Sequence, residues 1–340
     1  MSFKVMNCNR NKCSFFSRDL RTHQLFRNSW HIAADKSKIT QSVILRGFGV
    51  IRLLIAVKIF FGSRSTQRII FGTSEILLYS LLSSESDVWV FTGLGRLLTN
   101  RSPRSKIVRW LLSRSYRGQL TVVLNANDRQ EIKTITQKNP ILIEGEGYRF
   151  AAEYDTKCFQ EKSCDLHFTY VGRILRSKGV DQILRAYAEK SLKNWTLTVI
   201  GDNDYGNSDC LSESEISRLS AASKGAIVFT GFRSNVKSLL QDQDIYISMS
   251  VREGLPFSVL DAIDAGLFII LSAVPGHLSF EGLPGVRIVK NGLENVLMEI
   301  AHNSEDIFKF DRMKRIEECN KRFGQNTIVD QICETIFKQK

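Results

Sequence analysis

Short runs of β-branched and aromatic residues alternate with segments of helical periodicity through the second half of the chain. The runs predict strands at 166–171, 195–200, 226–230, 244–248, 267–271 and 286–289. The segments between them predict helices at 180–190, 212–222, 235–241 and 256–265. Strands that alternate with helices are typical of a parallel sheet covered on both faces. We therefore expect a doubly wound α/β domain here.

The first half repeats this alternation less regularly, so a second α/β domain is the economical interpretation. Its predicted strands lie at 29–34, 68–72, 88–92, 120–124 and 141–144. Its predicted helices lie at 14–26, 42–60, 94–114 and 128–136.

The 340 residues are enough for two domains with a packed core in each. We expect an N-terminal Rossmann-like domain at 1–150 and a linker at 151–165, where charge is mixed and periodicity is weak. A second Rossmann-like domain follows at 166–305, and 306–340 predicts two helices that break near Gly324. Two doubly wound domains would face a cleft, and ligands of such sheets bind beyond the carboxyl ends of the strands.

The net charge of +12 is unevenly distributed: residues 1–150 carry +15 and residues 151–340 carry −3. A basic first domain favours binding to an anionic partner, either nucleic acid or a phospholipid surface. The alternative is a basic face that serves only solubility. The seven cysteines have no metal-ligand spacing and suit a reducing cytosol. We expect no export signal at the N-terminus, and no membrane span at 43–61, which Arg46, Arg52 and Lys58 interrupt.

The first cluster with chemical potential follows the strand at 166–171. Gly172 and Arg173 open the loop, Lys178 and Gly179 close it, and a predicted helix begins next. Two cations at the carboxyl end of a strand and beside a helix N-terminus suit a diphosphate. A solvated basic turn is the alternative for this loop taken alone.

The second cluster follows the strand at 244–248. Glu253 and Gly254 lie in the loop, Pro256 suits the first position of a helix, and Asp261 lies within that helix. The backbone amides of residues 254–258 could face an anion or a sugar. An ordinary surface acid at Glu253 and an acid of the first helical turns at Asp261 are the alternatives.

Taken together, these motifs resemble glycosyltransferase family 4, the retaining enzymes of GT-B fold that use nucleotide sugars. The resemblance covers Gly-Arg-x4-Lys-Gly at 172–179, Ile-Gly-Asp at 200–202, Gly-Phe at 231–232 with Asn-Val at 235–236, and Arg-Glu-Gly-Leu-Pro at 252–256. Weaker similarity to the bacterial polysaccharide branch lies at 91–95, 125–128 and 144–147. The last helices resemble those that return toward the first domain in this family.

The resemblance implies that Arg173 and Lys178 bind the donor diphosphate, that Glu253 lies near the donor sugar, and that Asp261 binds the ribose. It also places Gly172, Phe232, Gly254, Leu255 and Pro256 at the donor. A UDP-sugar is the favoured donor, and a polyprenyl-diphosphate-linked or saccharide acceptor of surface polysaccharide, such as lipopolysaccharide, is the implied partner. The nucleotide sugar is a substrate, so no cofactor is expected.

Three features depart from the family pattern. Asp261 stands where the family has a second Glu, and Asp is one methylene shorter. Residues 5–18 contain no glycine, although the family has a Gly-rich loop there. No histidine follows the strand at 88–92. The acceptor side is therefore poorly determined by the sequence.

Neither a metal nor a histidine site is predicted. The string at 202–204 is similar to a metal motif but has no supporting ligand, and Asx residues after strands usually form turns. The cations of the first cluster and helix dipoles can neutralise the leaving diphosphate without a metal. We expect His277 to be an exposed turn residue.

A basic stretch without acidic residues lies between Asp87 and Asp128. Its cations are Arg96, Arg101, Arg104, Lys106, Arg109, Arg114 and Arg117, with Trp110, Leu111 and Leu112 among them. This composition indicates an interfacial helix on an anionic membrane, and no nucleic-acid motif accompanies it. We expect a cytoplasmic enzyme at the inner membrane face, with a non-catalytic basic binding protein on a GT-B scaffold as the alternative.

Overall fold

The computed structural model describes residues 13–16, 29, 67–94, 98, 102–151, 165–189, 195–204 and 206–337. The chain divides into two compact units, residues 1–149 with 320–340 and residues 150–319. Each unit contains one parallel sheet with helices, which confirms the predicted α/β class. None of the described helices is long and apolar enough to cross a bilayer. The interrupted apolar segment at 43–61 lies outside the described residues.

The first sheet has its described strands in the order β1-β2-β3-β4-β5, all parallel. They are β1 Cys13–Phe16, β2 Gln67–Phe71, β3 Val88–Phe91, β4 Leu120–Val123 and β5 Ile141–Leu142. Strands β2 to β5 lie within two residues of their predicted bounds.

Strand β1 lies where the sequence predicts a helix at 14–26, and that prediction is wrong. Residues 13–16 pair in parallel with β2, Cys13 opposite Gln67. Such pairing joins segments far apart in sequence, and local periodicity carries no information about it. The predicted strand at 29–34 and helix at 42–60 lie outside the described residues, except for Ser29, which is helical.

Three helices follow strands of the first sheet: α1 Thr73–Tyr79, α2 Pro103–Ser115 and α3 Ala126–Thr136. The sequence does not predict α1, and it predicts α2 from residue 94. Helix α2 instead begins at Pro103, because the Ser102 side chain accepts a hydrogen bond from the amide of Ser105, 3.2 Å away, and proline suits the first helical turn.

The first sheet is buried on both faces, as expected for parallel strands. Ile69 and Phe71 of β2 pack on one side with Ile328 and Ile332 from the end of the chain. The neighbouring Ile70 packs on the other side with residues of α1, α2 and α3. The last residues of the chain therefore complete the core of the first unit.

The second sheet has six described strands in the order β11-β10-β9-β6-β7-β8, all parallel. They are β6 Leu166–Val171, β7 Trp195–Ile200, β8 Ile227–Gly231, β9 Ile245–Ser248, β10 Phe268–Ser272 and β11 Val286–Val289. Each lies within one residue of its prediction at both ends. The chain runs outward from β6 through β7 to β8 and then returns to β9, on the other side of β6. The strand order therefore reverses between β6 and β9.

Helices cover this sheet and continue into the end of the chain. They are α4 Val180–Glu189, α5 Glu213–Ala222, α6 Val236–Leu240, α7 Phe257–Asp264, α8 Pro275–Leu278, α9 Leu293–His302, α10 Arg312–Phe323 and α11 Gln325–Ile332. Gly324 separates α10 from α11, as predicted.

The sequence predicts the terminal segment as one unit from residue 306. In the structure this segment is divided: the residues up to 319 belong to the second unit, and those from 320 belong to the first. Arg315 explains why the first part stays with the second unit. Its buried guanidinium donates to the carbonyl of Leu267, 2.8 Å away, and lies 4.5 Å from the ring centre of Phe310.

Candidate functional site

The loops after β6 and β9 lie against each other at the point where the strand order reverses. The amide of Val251 donates to the carbonyl of Ser177, 3.0 Å away. Gly179 has a φ of +70°, and a Cβ on it would lie 1.9 Å from the carbonyl oxygen of Met249. Only glycine allows this approach. Open α/β sheets bind ligands at such a reversal, beyond the carboxyl ends of the strands.

Lys178 and Glu253, one from each loop, form an ion pair across this point. The Nζ atom of Lys178 lies 2.7 Å from Oε1 of Glu253. The Glu253 side chain is only 13% exposed, and the Lys178 side chain is about twice as exposed, at 29%. The hydroxyl of Ser250 also donates to Oε1 of Glu253, at 2.7 Å. The structure thus brings together two of the residues that the sequence selects.

Arg173 faces a different partner from Lys178. Its Nη1 atom lies 2.7 Å from Oδ2 of Asp204, in the loop after β7, and its side chain is 60% exposed. Hydrogen bonds from Asn207 and from Arg173 hold the pKa of Asp204 below its usual value. Gly172 precedes Arg173 at the end of β6, where its amide donates to the carbonyl of Ile200 at 3.0 Å.

The loop that carries Arg173 and Lys178 is held by hydrogen bonds to residues that the sequence analysis does not identify. Arg176 donates two hydrogen bonds to Glu215, at 2.6 and 2.7 Å, and together with bonds from Ser212 these lower the pKa of Glu215 to about 2. Glu215 also completes the capping box of α5 with Ser212. The amide and hydroxyl of Ser177 both bind Asp209. The Ser-x-x-Glu spacing at 212–215 is the only sequence signal of this support.

Gly254, Leu255 and Pro256 lead into the N-terminus of α7, as the sequence predicts. Pro256 caps the helix with an extended ψ of 113°, and the first helical residue is Phe257. The prediction of Pro256 at the first helical position is therefore one residue early. A Cβ on Gly276 would lie 2.1 Å from the carbonyl oxygen of Gly254, so the loop at α8 packs tightly beneath residues 253 and 254.

Asp261 lies on α7, and its side chain is 24% exposed. The Nζ atom of Lys237 lies 4.0 Å from Oδ1 of Asp261 and 2.9 Å from Oδ2 of Asp264. Tyr246 lies beneath the same helix and its hydroxyl bonds that of Ser258, 2.8 Å away. Burial raises the pKa of Tyr246 above its usual value.

Phe232 follows β8, and its ring is exposed. The residue is 62% exposed, while its amide donates to Oδ1 of Asp202, 2.9 Å away. An exposed aromatic ring held at a strand end can stack on a flat ligand group.

His277 is buried, with no exposed surface, so the expectation of an exposed turn residue is wrong. It lies in α8, the short helix that follows β10 and that the sequence does not predict. Its ring contacts Ser248 and Ser272. Burial lowers the pKa of His277 to about 4, so the ring is neutral near pH 7.

The described residues hold no group of three or more His, Cys, Asp or Glu side chains that could bind a metal ion. Asp202 and Asp204 instead bind the amide of Phe232 and the guanidinium of Arg173.

The basic helix of the first unit is α2. Arg104, Lys106, Ile107, Trp110 and Leu111 are exposed. Two residues assigned to this surface in the sequence have other roles. Leu112 is fully buried in the core, and Arg109 pairs with Glu131 at 2.7 Å.

Residues 158–284 match the model of the family described as Glycosyl transferases group 1. The matched residues lie within the second unit. The matched range includes the loops that bear Arg173, Lys178 and Glu253. The finer assignment to glycosyltransferase family 4 stays a prediction.

A curated protein that is similar to part of this chain comes from Campylobacter jejuni, N,N'-diacetylbacillosaminyl-diphospho-undecaprenol alpha-1,3-N-acetylgalactosaminyltransferase. It is 35% identical over 107 residues, which are 31% of this chain and 26% of the relative's length. The match thus spans well under two thirds of that relative.

Solved structures with the same fold include HepE of Anabaena in complex with UDP-glucose, with a TM-score of 0.73 and 14% identity over 96% of this chain and 99% of HepE. WaaG, described as a glycosyltransferase involved in lipopolysaccharide biosynthesis, has a TM-score of 0.67 and 12% identity over 96% of this chain and 100% of WaaG. The fold is GT-B, as predicted.

Proposed function

We propose that this protein is a retaining, metal-independent glycosyltransferase that moves a hexosyl group from a nucleotide sugar, with a UDP-sugar as the favoured donor. The acceptor is a lipid-linked or other saccharide of surface polysaccharide synthesis. The Lys178–Glu253 pair, placed where the strand order of the second sheet reverses, is the observation that carries the proposal.

The diphosphate would lie beyond β6, against Lys178 and Arg173. Transfer leaves negative charge on the departing diphosphate, and cations fixed in advance stabilise that charge. Lys178 has three N–H donors, so it can keep its hydrogen bond to Glu253 and still donate to a phosphate oxygen. Arg173 offers a planar pair of donors to phosphate once it leaves Asp204.

The sugar and the nucleoside would lie beyond β9 and β8. Glu253 would accept hydrogen bonds from hydroxyls of the sugar, beside the amides of residues 254–258 at the start of α7. Asp261, one turn further along α7, would accept from the ribose. The exposed ring of Phe232 would stack on the base.

The names of similar proteins support this substrate class. HepE is described in complex with UDP-glucose, and the Campylobacter relative is named for a diphospho-undecaprenol-linked acceptor. The acceptor proposed for the present chain follows from that second name and from the surface of its first unit.

We propose that the first unit binds anionic lipid at the inner membrane face, where such an acceptor would be embedded. All the large hydrophobic side chains exposed in the described part of this unit lie on α1, on the following turn or on α2. They form what we term the α1–α2 apolar surface: Leu78, Leu81, Ile107, Trp110 and Leu111. Helix α2 packs against the turn Ser80–Leu82. Arg104, Lys106, Arg114 and Arg117 are exposed on α2 and just beyond it, the combination that an interfacial helix needs.

A panel of UDP- and GDP-sugars, screened by melting temperature and by release of nucleoside diphosphate, tests the enzyme proposal. A donor at about 100 times its Kd stabilises the native state by about 2.7 kcal/mol. We expect one UDP-sugar to raise the melting temperature and to be hydrolysed slowly without acceptor. A folded protein that binds no nucleotide sugar and releases no nucleoside diphosphate would instead be a basic binding module on this fold.

A further inference from the structure

Four polar side chains at the ends of β9 and β10 form a connected network beneath the candidate site. They are Ser248, Ser250, Ser272 and His277: the ring of His277 contacts the hydroxyls of Ser248 and Ser272, and Ser272 binds the backbone carbonyl of Ser250. Ser248, Ser250 and His277 are at most 3% exposed. Buried polar groups cost free energy unless they are hydrogen-bonded, and a fully connected network fixes the geometry of its members. None of the four belongs to the motifs from which the function is inferred.

The hydrogen-bond directions follow from the groups that can only accept. Nδ1 of His277 lies 3.1 Å from the carbonyl of Ser272, so Nδ1 carries the proton and donates to it. Nε2 then accepts from the hydroxyl of Ser248, 3.4 Å away. The hydroxyl of Ser272 donates to the carbonyl of Ser250 at 2.6 Å. The neutral ring suits this pattern, since a protonated Nε2 could not accept.

The network ends on the carboxylate of Glu253. The Ser250 hydroxyl donates to Oε1, which also receives the ammonium of Lys178, both at 2.7 Å. Among the residues that the structure describes, none forms a hydrogen bond with Oε2 of Glu253. Gly276, next to His277, packs against the peptides of Glu253 and Gly254. The side chain of Glu253 is thus held by Ser250 and Lys178, and its backbone is supported by Gly276, which follows β10.

We propose that Ser250, Ser272 and His277 are positioning residues for Glu253. They hold Oε1 in place and leave Oε2 to accept a hydrogen bond from a hydroxyl of the donor sugar. This inference rests on the proposed function, and it adds the origin of the carboxylate's orientation. A carboxylate fixed in advance avoids the loss of side-chain freedom when the sugar binds.

The test compares donor turnover in Ser250→Ala, His277→Leu and His277→Asn. A lost hydrogen bond to a charged group predicts a fall of about 10- to 100-fold in kcat/KM for Ser250→Ala. His277→Leu removes both ring contacts and should lower kcat/KM, whereas His277→Asn keeps a donor near Nδ1 and should recover part of the loss. The affinity for UDP alone, which lacks the transferred sugar, should change little in all three.

A double-mutant cycle separates positioning from a general structural effect. In a Glu253→Gln background, Ser250→Ala should lower kcat/KM little further, because the carboxylate that Ser250 orients is already absent. Thr169→Val is the matched control: Thr169 is a buried hydroxyl of the same sheet that donates to the carbonyl of Thr198, with no bond to the network. We expect it to leave donor kinetics unchanged.

The outcomes also distinguish this inference from the function on which it rests. Failure of the parent protein to turn over any nucleotide sugar would contradict both. Turnover by the parent with Ser250→Ala at the parent rate would overturn the positioning role alone, as would equal losses from Ser250→Ala with and without Glu253→Gln. Should Ser250→Ala fail to fold, the contrast between His277→Asn and His277→Leu decides the question.

Discussion

Arg173 and Asp204 form an ion pair of 2.7 Å between the loops after β6 and β7, and the same guanidinium is the proposed ligand of the donor diphosphate. Both side chains are substantially exposed, so solvent screens the pair and it contributes little to stability. A doubly charged diphosphate can therefore displace Asp204 from Arg173. In this view Asp204 competes with the donor.

Asp204→Asn should tighten the binding of UDP by about 2- to 5-fold, because the guanidinium then gives up a weaker partner. Titration calorimetry at constant ionic strength measures the change. Glu281→Gln is a suitable control, since it removes an exposed carboxylate that pairs with Lys290 in the same unit. Weaker binding of UDP by Asp204→Asn would mean that Asp204 holds Arg173 in its productive position.

Asp261 can be tested through the ribose. If Asp261 accepts a hydrogen bond from a ribose hydroxyl, Asp261→Asn should weaken the binding of UDP by about 10-fold or more and the binding of its deoxyribose analogue much less. Asp261→Glu should be tolerated, since it restores the longer side chain of the family pattern. Equal losses for the two nucleotides would assign Asp261 to the helix surface and its neighbour Lys237.

The buried His277 should make stability depend on pH. Its pKa is about 4 in the folded protein, below the value of about 6.5 for an unfolded chain, so the unfolded chain binds more protons in this range. Stability is therefore lost as pH falls, by about 2 kcal/mol between about pH 7 and about pH 5. Glu253 and Lys178 act on the ring with opposite sign, and burial dominates.

Urea unfolding of the parent and of His277→Asn at these two pH values measures the effect. The parent should lose about 2 kcal/mol more than the variant on acidification, because the variant has no group that titrates there. The difference between the two proteins removes the contribution of all other groups. Parallel losses in the parent and the variant would contradict a buried neutral histidine.

Binding of the first unit to anionic vesicles should have a salt-sensitive and a salt-resistant part. Each cation near the surface contributes about 1 kcal/mol, so Arg104→Glu with Lys106→Glu should weaken binding at least about 30-fold at low salt. Trp110→Ala with Leu111→Ser should reduce the part that survives high salt. The rate of donor hydrolysis should be unchanged in both variants.

Lys314→Glu, a charge reversal at an exposed residue of the second unit, serves as the control for the vesicle experiment. It should leave vesicle binding unchanged. Flotation of the Arg104 and Lys106 double variant with vesicles as readily as the parent would contradict the membrane proposal, and so would a preference of the parent for RNA at equal ionic strength.

The fold of the second unit was predictable because its central strands are largely buried and its strands appear as continuous runs rich in β-branched residues. In the first unit, α1 was missed: it has seven residues, and its N-cap, Gly72, has no capping side chain. Strand β1 was mistaken for a helix because its partner lies more than fifty residues away along the chain.

The candidate site shows the same limit. Lys178 and Glu253 were predictable as neighbours because both follow strands at the reversal point. The Arg173–Asp204 pair and the burial of His277 depend on how loops from different strands pack, which no local pattern of the sequence records. The glycines at 179 and 276 were visible in the sequence, but the neighbours that require them were not.

The rate of donor turnover in Lys178→Ala and Arg173→Ala tests the central claim most directly. Measured as nucleoside diphosphate released from a saturating UDP-sugar, with folding checked by the unfolding transition, each variant should be about 100- to 1000-fold slower than the parent, because each removes a cation that stabilises the departing diphosphate. A folded, donor-saturated Lys178→Ala protein that turns over at the parent rate would contradict the placement of the diphosphate beside the Lys178–Glu253 pair.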